Sequence, residues 1–373
     1  MNYSFELNNA RNDATFASGK VRDTSLVVKV FEAMASGKEV GSVKDRKENL
    51  DAAVKYIKTL GAKASVNDIT AISELNEIRK FVMSPKLLQE IKLLSVFGSY
   101  KPLGWNDTAY LEKITYENVR ADIQAEGQDV STAFSRKSKI PLAPITISGG
   151  YKSDYREIEL GDMSTENTLM EEVRKEIRNK ATMYVLETVF KAVENATGVK
   201  YFYENAGLAK TSVDALLTKI RRYGKPNVHG DYALLAQFLP WIGYAGTVGS
   251  NTITGVSQKL LDEIADTGII GSYNGSVLVE IPNGYNFSKI VTDGEGTKNY
   301  DVLLPAGLGI VTPAAPANGI APVQNFSIGG LTSFSGNSVS TGEIMTRFDL
   351  KIASGVASPE CIAIIHDTNL DQL

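Results

Sequence analysis

The sequence predicts an α+β fold, with helix concentrated in two regions and strands filling much of the rest. Three observations carry this. Apolar residues recur at helical spacing through 44–98 and again over 166–196. Other runs alternate apolar and polar residues with period two, as in IMTRFDLKI at 344–352. Turn residues punctuate the chain between them, above all Asn274-Gly275, where both turn positions tolerate positive φ.

Composition narrows the function. The chain has 373 residues, 43% hydrophobic and 22% charged, which is ordinary for a globular protein of one to three domains. A net charge of −4 lacks the basic excess that backbone gripping of nucleic acid demands. Cys361 is the only cysteine, so no intrachain disulfide forms and a reducing compartment is expected. The opening MNYSFELNNARNDATF has no apolar core of a signal peptide, and no run reaches the ~20 apolar residues of a membrane span, so no membrane association is expected.

Residues 1–43 read as an extended arm whose one apolar burst, LVVKVFEAM, suits a strand or a short helix. Residues 44–106 read as a helical segment. Leu50, Val54, Ile57 and Leu60 share a face that Gly61 ends, and Ser65 with Asp68 offers a capping box. Ile69, Ile72, Leu75 and Val82 continue to Pro85, and Leu88, Ile91 and Leu94 make a further piece. Residues 107–160 read as a long two-stranded excursion. Val119, Ala121 and Ile123 alternate on one side and Arg156, Ile158 and Leu160 on the other, around a basic stretch broken by Pro141 and Pro144. Arg136, Lys137 and Lys139 would lie at its tip. An isolated two-stranded hairpin is marginal in water, so the excursion must lean on its own body or on another copy.

The strongest element is the helix at 166–196, striped by Leu169, Val173, Ile177, Ala181, Tyr184, Val189 and Val193. Glu171–Lys175, Glu176–Lys180 and Glu187–Lys191 are favourable pairs on its wet side. Thr168 with Glu171 can cap it, or Ser164 or Thr165 can start it earlier, and Gly198 closes it. At 1.5 Å per residue it spans roughly 45 Å, a structural beam. Glu166, Glu171, Glu172 and Glu176 make its first turns acidic, and the basic cluster at 136–139 could meet them between copies.

Beyond it, TSVDALLTKIRRYG reads as a capped helix, and HGDYALLAQF as strand then helix or all helix. Val256, Leu260 and Ile264 line a helix ended by Gly268. The Asn274-Gly275 hairpin and the alternating Val277, Val279 and Ile281 follow, stopped by Pro282. YDVLLPAGLGIVTP adds a strand, and VTPAAPANGIAP at 311–322 reads as a linker. After it come the alternating run at 344–352, a turn at Ser354-Gly355, and ECIAIIHD, apolar on both faces and so a buried strand containing Cys361.

Chemistry is sparse. The two histidines, His229 and His366, belong to no metal-binding spacing. GLGIVT lacks the third glycine of a dinucleotide loop, and DGEGTKNYD lacks the sixth-position Gly and twelfth-position Glu of a calcium loop. No G-x-S-x-G elbow positions a nucleophile for His366 and Asp367. No enzymatic activity, cofactor or metal is expected.

Taken in order, the arm, the long hairpin, the single long helix, the α+β lobe and the closing strands resemble the major capsid protein of tailed bacteriophages, the Hong Kong 97 fold. Within the lobe, Gly271, Tyr273, Gly275, Ile281 and Pro282 resemble a family turn, and MTRFDLKIASGVASPECIAIIHD is similar to its closing strands. The resemblance implies an N-terminal arm at 1–43, a helical elaboration at 44–106, an extended loop at 107–160, a peripheral domain at 161–199 and 319–373, and an axial domain at 200–318. It implies self-assembly into hexamers and pentamers around double-stranded DNA without sequence-specific binding. Scaffolding, portal and decoration proteins would be partners, and the location a virion assembled in a bacterial cytoplasm. Rival readings are an encapsulin-type compartment, a ligand-binding α+β protein or enzyme using the lobe cleft, and a phage tail component.

Overall fold

The computed structural model describes residues 24–91, 98–117, 134–153, 155–161, 163–241, 244–248, 251–255, 271–281, 283–292, 298–302, 304–314, 320–337 and 344–370. Three helices come first: α1 (Thr24–Ala35), α2 (Lys47–Ser65) and α3 (Ile69–Ile91). The part of the expected arm that is described is therefore largely helical. Leu26, Val27, Val30 and Phe31 are buried at helical spacing, and that burial outweighs the strand preference of the valines.

Gly61 does not end α2. It sits where α4 (Tyr155–Leu160) crosses so closely that a Cβ would lie 2.8 Å from the Glu159 amide nitrogen. Pro85 lies inside α3 and does not stop it. Of the expected capping box, only Asp68 acts at the start of α3, accepting from the Thr70 amide at 2.9 Å. Ser65 belongs to the last turn of α2 and donates to the Ala62 carbonyl. The run REIEL, expected as a strand, is helical in α4. Ile158 is buried and Leu160 is 77% exposed, so the two do not share a face. The expected strand at 119–123 and the helix over 256–267 lie outside the described residues.

The long helix α5 (Ser164–Glu194) has 31 residues. Ile177, Ala181, Val189 and Val193 are buried as their spacing predicts, joined by Met170, Val185 and Leu186, while Leu169, Val173 and Tyr184 pack half-buried on the same core. Glu187 pairs with Lys191 at 3.2 Å, but Lys175 turns to Glu172 rather than Glu171. Beneath the helices is a four-stranded sheet of β1 (Ser99–Leu103), β4 (Ile145–Ser153), β14 (Val323–Asn337) and β15 (Ile344–Val356), in the order β1-β14-β15-β4. Helices α3 and α5 cover one face. Phe348, Leu350 and Ile352 point into that core, and Met345 and Arg347 point to solvent, the period-two pattern of a half-covered sheet. Ser354 and Gly355, expected as a turn, continue β15. A Cβ at Gly355 would meet Leu142 at 2.9 Å, so the glycine serves close packing.

The lobe holds a six-stranded sheet ordered β5-β16-β13-β6-β10-β9, from β5 (Tyr201–Asn205), β6 (Pro226–Gly230), β9 (Ser272–Tyr273), β10 (Ser276–Glu280), β13 (Leu308–Pro313) and β16 (Ala363–Asp367). Helix α6 (Lys210–Ile220) packs on it through Val213, Leu216, Leu217 and Ile220. The strand-then-helix reading of HGDYALLAQF holds, with Asp231 capping α7 (Tyr232–Ala236). Residues 311–313 of the expected linker form the end of β13. Strand β16, within the stretch 319–373 expected as one unit with the long helix, instead pairs with β13 and β5 in the lobe sheet. Cys361 is buried beside it and burial pushes its thiol up to about 11, which makes it core and not reagent.

Three two-stranded ribbons stand outside these sheets: β2 (Tyr110–Glu117) with β3 (Phe134–Pro141), β7 (Tyr244–Val248) with β8 (Asn251–Gly255), and β11 (Tyr285–Thr292) with β12 (Lys298–Val302).

A buried ion pair ties the helices to the four-stranded sheet. Arg79 of α3 donates from Nε to Glu166 Oε1 of α5 at 2.6 Å, with side chains 0% and 1% exposed. Tyr151 of β4 donates its hydroxyl to the same oxygen at 2.5 Å, and Arg79 Nη1 donates to Thr346 Oγ1 of β15 at 3.1 Å. Glu166→Gln would leave the guanidinium buried without its counter-charge. It should lower unfolding free energy by about 3–5 kcal/mol, measured by urea titration of circular dichroism; a change under ~1 kcal/mol would contradict this reading of the pair.

Candidate assembly surfaces

Among the described residues, the β2–β3 ribbon touches the body only near its base, where Leu111 is buried beside Gly355. Every residue of β3 is exposed, including Phe134 and Ile140, each 48% exposed. Its base, in contrast, is fixed. The buried Gln324 side chain bonds both backbone groups of Glu112, accepting from its amide at 3.0 Å and donating to its carbonyl at 2.7 Å. Ala109 and Leu142 pack with Phe326, Ile328 and Ala353 just below. The ribbon therefore leaves the body in a set direction.

The basic residues expected at its tip lie along β3 instead, because β3 begins at Phe134. The region 118–133, where the tip falls, lies outside the described residues. Period two also splits the cluster. Lys137 and Lys139 share a face with Glu112, whose carboxylate they reach at 3.0 and 3.6 Å. The hydrogen bond from Lys137 leads the causes that hold this carboxyl below its ordinary value. Arg136 projects from the other face, the one that carries Phe134 and Ile140.

The acidic residues of α5 also divide. Glu166 is 2% exposed and consumed by Arg79, so its expected place on an exposed contact face is wrong. Glu171 pairs with Arg174 and, at 3.6 Å, with Lys86. Glu172 pairs with Lys175 at 2.9 Å, and Glu176 is exposed. Arg136 and Glu176 have no ionic partner among the described residues.

The hairpin at Asn274-Gly275 forms as its residues require, with φ of 47° and 76°. Sequence spacing did not indicate what holds it. Asp214 of α6 accepts from the Tyr273 hydroxyl at 2.8 Å and from Asn274 Nδ2 at 2.9 Å, while Arg221 donates to the Asn274 carbonyl at 3.0 Å. Tyr273 is buried against Phe238 and Trp241.

The histidines and Asp367 serve the lobe's interior. Burial opposes charge on Asp367, but hydrogen bonds from Gln237 at 2.6 Å, Gly207 at 2.7 Å and Asn369 at 3.0 Å outweigh it and hold the carboxyl low. This carboxylate staples loops and is not free to orient His366, whose Nδ1 lies 3.9 Å from Glu204. His229 is fully buried, its Nε2 2.9 Å from Thr312 Oγ1. No cluster of metal-ligating side chains occurs among the described residues.

Burial pushes His229 down to about 4. A histidine whose folded pKa lies below its unfolded value near 6.5 contributes stability that is full above that pH and is lost as pH falls toward the folded value. Between pH 6.5 and 4 the slope should be about 1.4 kcal/mol per unit. Denaturant midpoints at pH 7 and pH 5 check it: His229→Leu should flatten the difference, and an unchanged slope would contradict it.

By sequence, comparison with curated proteins finds no match. By structure, the chain is similar to the virus-like particle protein of Pyrococcus furiosus at 8% identity, covering 76% of this chain and 97% of that one, TM-score 0.44. It is also similar to the mature capsid protein of bacteriophage PhiM1 at 14% identity, covering 73% and 85%, TM-score 0.43. A third is the holo-SrpI encapsulin complex of Synechococcus elongatus at 8% identity, covering 75% and 89%, TM-score 0.43. A family match spans residues 8–366, nearly the whole sequence, and the chain belongs to that family, the SPbeta prophage-derived putative capsid protein YonB.

Proposed function

We propose that this capsid-family chain is the major shell subunit, organised in the Hong Kong 97 manner and closing into hexamers and pentamers around double-stranded DNA. The observation that carries the reading is the β2–β3 ribbon, exposed along all of β3 yet rigidly mounted at its base. Such an element gains its packing from a neighbour. In this reading the extended loop is the β2–β3 ribbon of 110–141 and not the whole of 107–160, because β4 joins the four-stranded sheet and α4 packs on α2. Helix α5 and the four-stranded sheet form the peripheral domain, the six-stranded sheet forms the axial domain, and 24–91 elaborates the peripheral domain. Phe134 and Ile140 would make the apolar centre of the loop contact. Arg136 would steer it toward Glu172 and Glu176 of an adjacent α5.

A net charge of −4 suits a wall that encloses DNA without gripping it. Portal, scaffolding and decoration proteins would complete the particle, assembled in the bacterial cytoplasm and leaving in the virion. Electron microscopy of the protein expressed alone tests the reading, with shells, sheets or capsomer rings expected. A monomer under every condition would overturn it, and shells filled with protein cargo and free of nucleic acid would overturn its DNA-enclosing part. Phe134→Ser with Ile140→Ser should leave the melting temperature within about 2 °C, because exposed substitutions cost little. It should reduce particle yield at least about tenfold, the scale of losing interface anchors.

A further inference from the structure

The ribbon β11–β12 leaves the lobe sheet between β10 and β13, and its second strand overlaps the DGEGTKNYD run that lacks the residues of a calcium loop. Three large apolar or aromatic side chains lie open on it: Tyr285 is 59% exposed, Ile290 63% and Tyr300 45%. Ile290 and Tyr300 are directly paired across the strands and so share a face. The mount is as firm as that of the first ribbon. Asn283 donates to the Asp231 carboxylate at 2.8 Å and to the Leu304 carbonyl at 2.9 Å, and its own carbonyl accepts from Gly284 at 2.9 Å and Leu304 at 3.0 Å. One side chain thus joins both ends of the ribbon to the residue that caps α7.

Charge narrows what can sit there. Lys289 is paired with Asp301 on the ribbon itself, which leaves Lys298 as its one other charged side chain among the described residues. A nucleic acid partner needs a field of unpaired Lys and Arg, and the described residues of this face offer only Lys298. An apolar ribbon with one such cation meets the lobe of another copy of this chain, whose net charge is −4, without repulsion. The three side chains expose on the order of 350 Å², enough for the centre of a standard interface but not for all of it.

From this we infer that β11–β12 is a contact between copies of the chain, with Ile290 and Tyr300 packed into the lobe of the adjacent subunit. The inference rests on the shell reading for the identity of the partner. In the assembly, lobe would hold lobe through this ribbon independently of the contact made by β2–β3.

Two variants of the full chain test it. Ile290→Asp should fold with an unchanged circular dichroism spectrum and sediment as free subunit, with particle yield at least about tenfold lower. Ile290→Cys supplies a second readout, since the native Cys361 is buried. Maleimide should label Cys at 290 at least about tenfold more slowly in assembled protein than in free subunits. Wild-type shells accompanied by normal Ile290→Asp yield and equal labelling rates would overturn this inference and leave the shell reading intact. Small discrete oligomers that protect position 290 would support the inference while overturning the shell reading. A wild-type chain that stays monomeric would overturn both.

Discussion

The architecture depends on one buried charge pair. Arg79 and Glu166 lie far apart in sequence, on α3 and α5, and meet where Tyr151 and Thr346 from two sheet strands complete the set. Desolvating two charges is expensive, and a buried pair adds little net stability over an apolar pair of the same size. Its value here is in register. An α3 rotated or slid along α5 would strand a buried guanidinium without its carboxylate. The pair therefore admits one arrangement of α3, α5, β4 and β15. The surrounding core agrees, since buried residues from Leu26 to Ile364 form one cluster that includes all three N-terminal helices. Residues 24–91 are thus part of the subunit's own body.

That internal completeness sets off what is left outside it. The two sheets bury their central strands, while β2–β3 and β11–β12 hold apolar side chains in solvent and are fixed at their bases by partly buried hydrogen bonds. Gln324 serves one ribbon and Asn283 the other, each through both a donor and an acceptor. A mobile loop would lose its freedom of direction on every contact it made; a ribbon fixed at its base has lost that part already, on folding, and only its strands are left to be ordered by a neighbour. In the proposed shell such a contact would recur from copy to copy, and symmetry would multiply the advantage.

Much of this was legible in the sequence where one physical signal acted alone. The stripe of α5, the alternation of β15 and the Asn274-Gly275 turn were readable because periodicity and turn chemistry are local. Errors arose where a residue type has two uses. Gly61 and Gly355 were read as punctuation, but each is small because another segment passes within van der Waals distance. REIEL alternates over too few residues to separate strand from helix, and Ile158 faces α2. Glu166 resembled its acidic neighbours on the helix and differs only through Arg79, 87 positions away. The sequence likewise gave no sign of Gln324, Asn283, Asp214 or Arg221, whose roles exist only once distant segments meet.

The central claim is that the helices and sheets are ordered within a single copy, while the ribbons gain their protection from neighbours. Hydrogen exchange on free subunits and on assembled particles measures this directly. Amides of α3, α5 and β15 should exchange slowly in both. Those of β2–β3 and β11–β12 should exchange fast in the free subunit and slow by about two orders of magnitude in particles. Ribbons already protected in the free subunit, or still exchanging fast in the particle, would contradict the account.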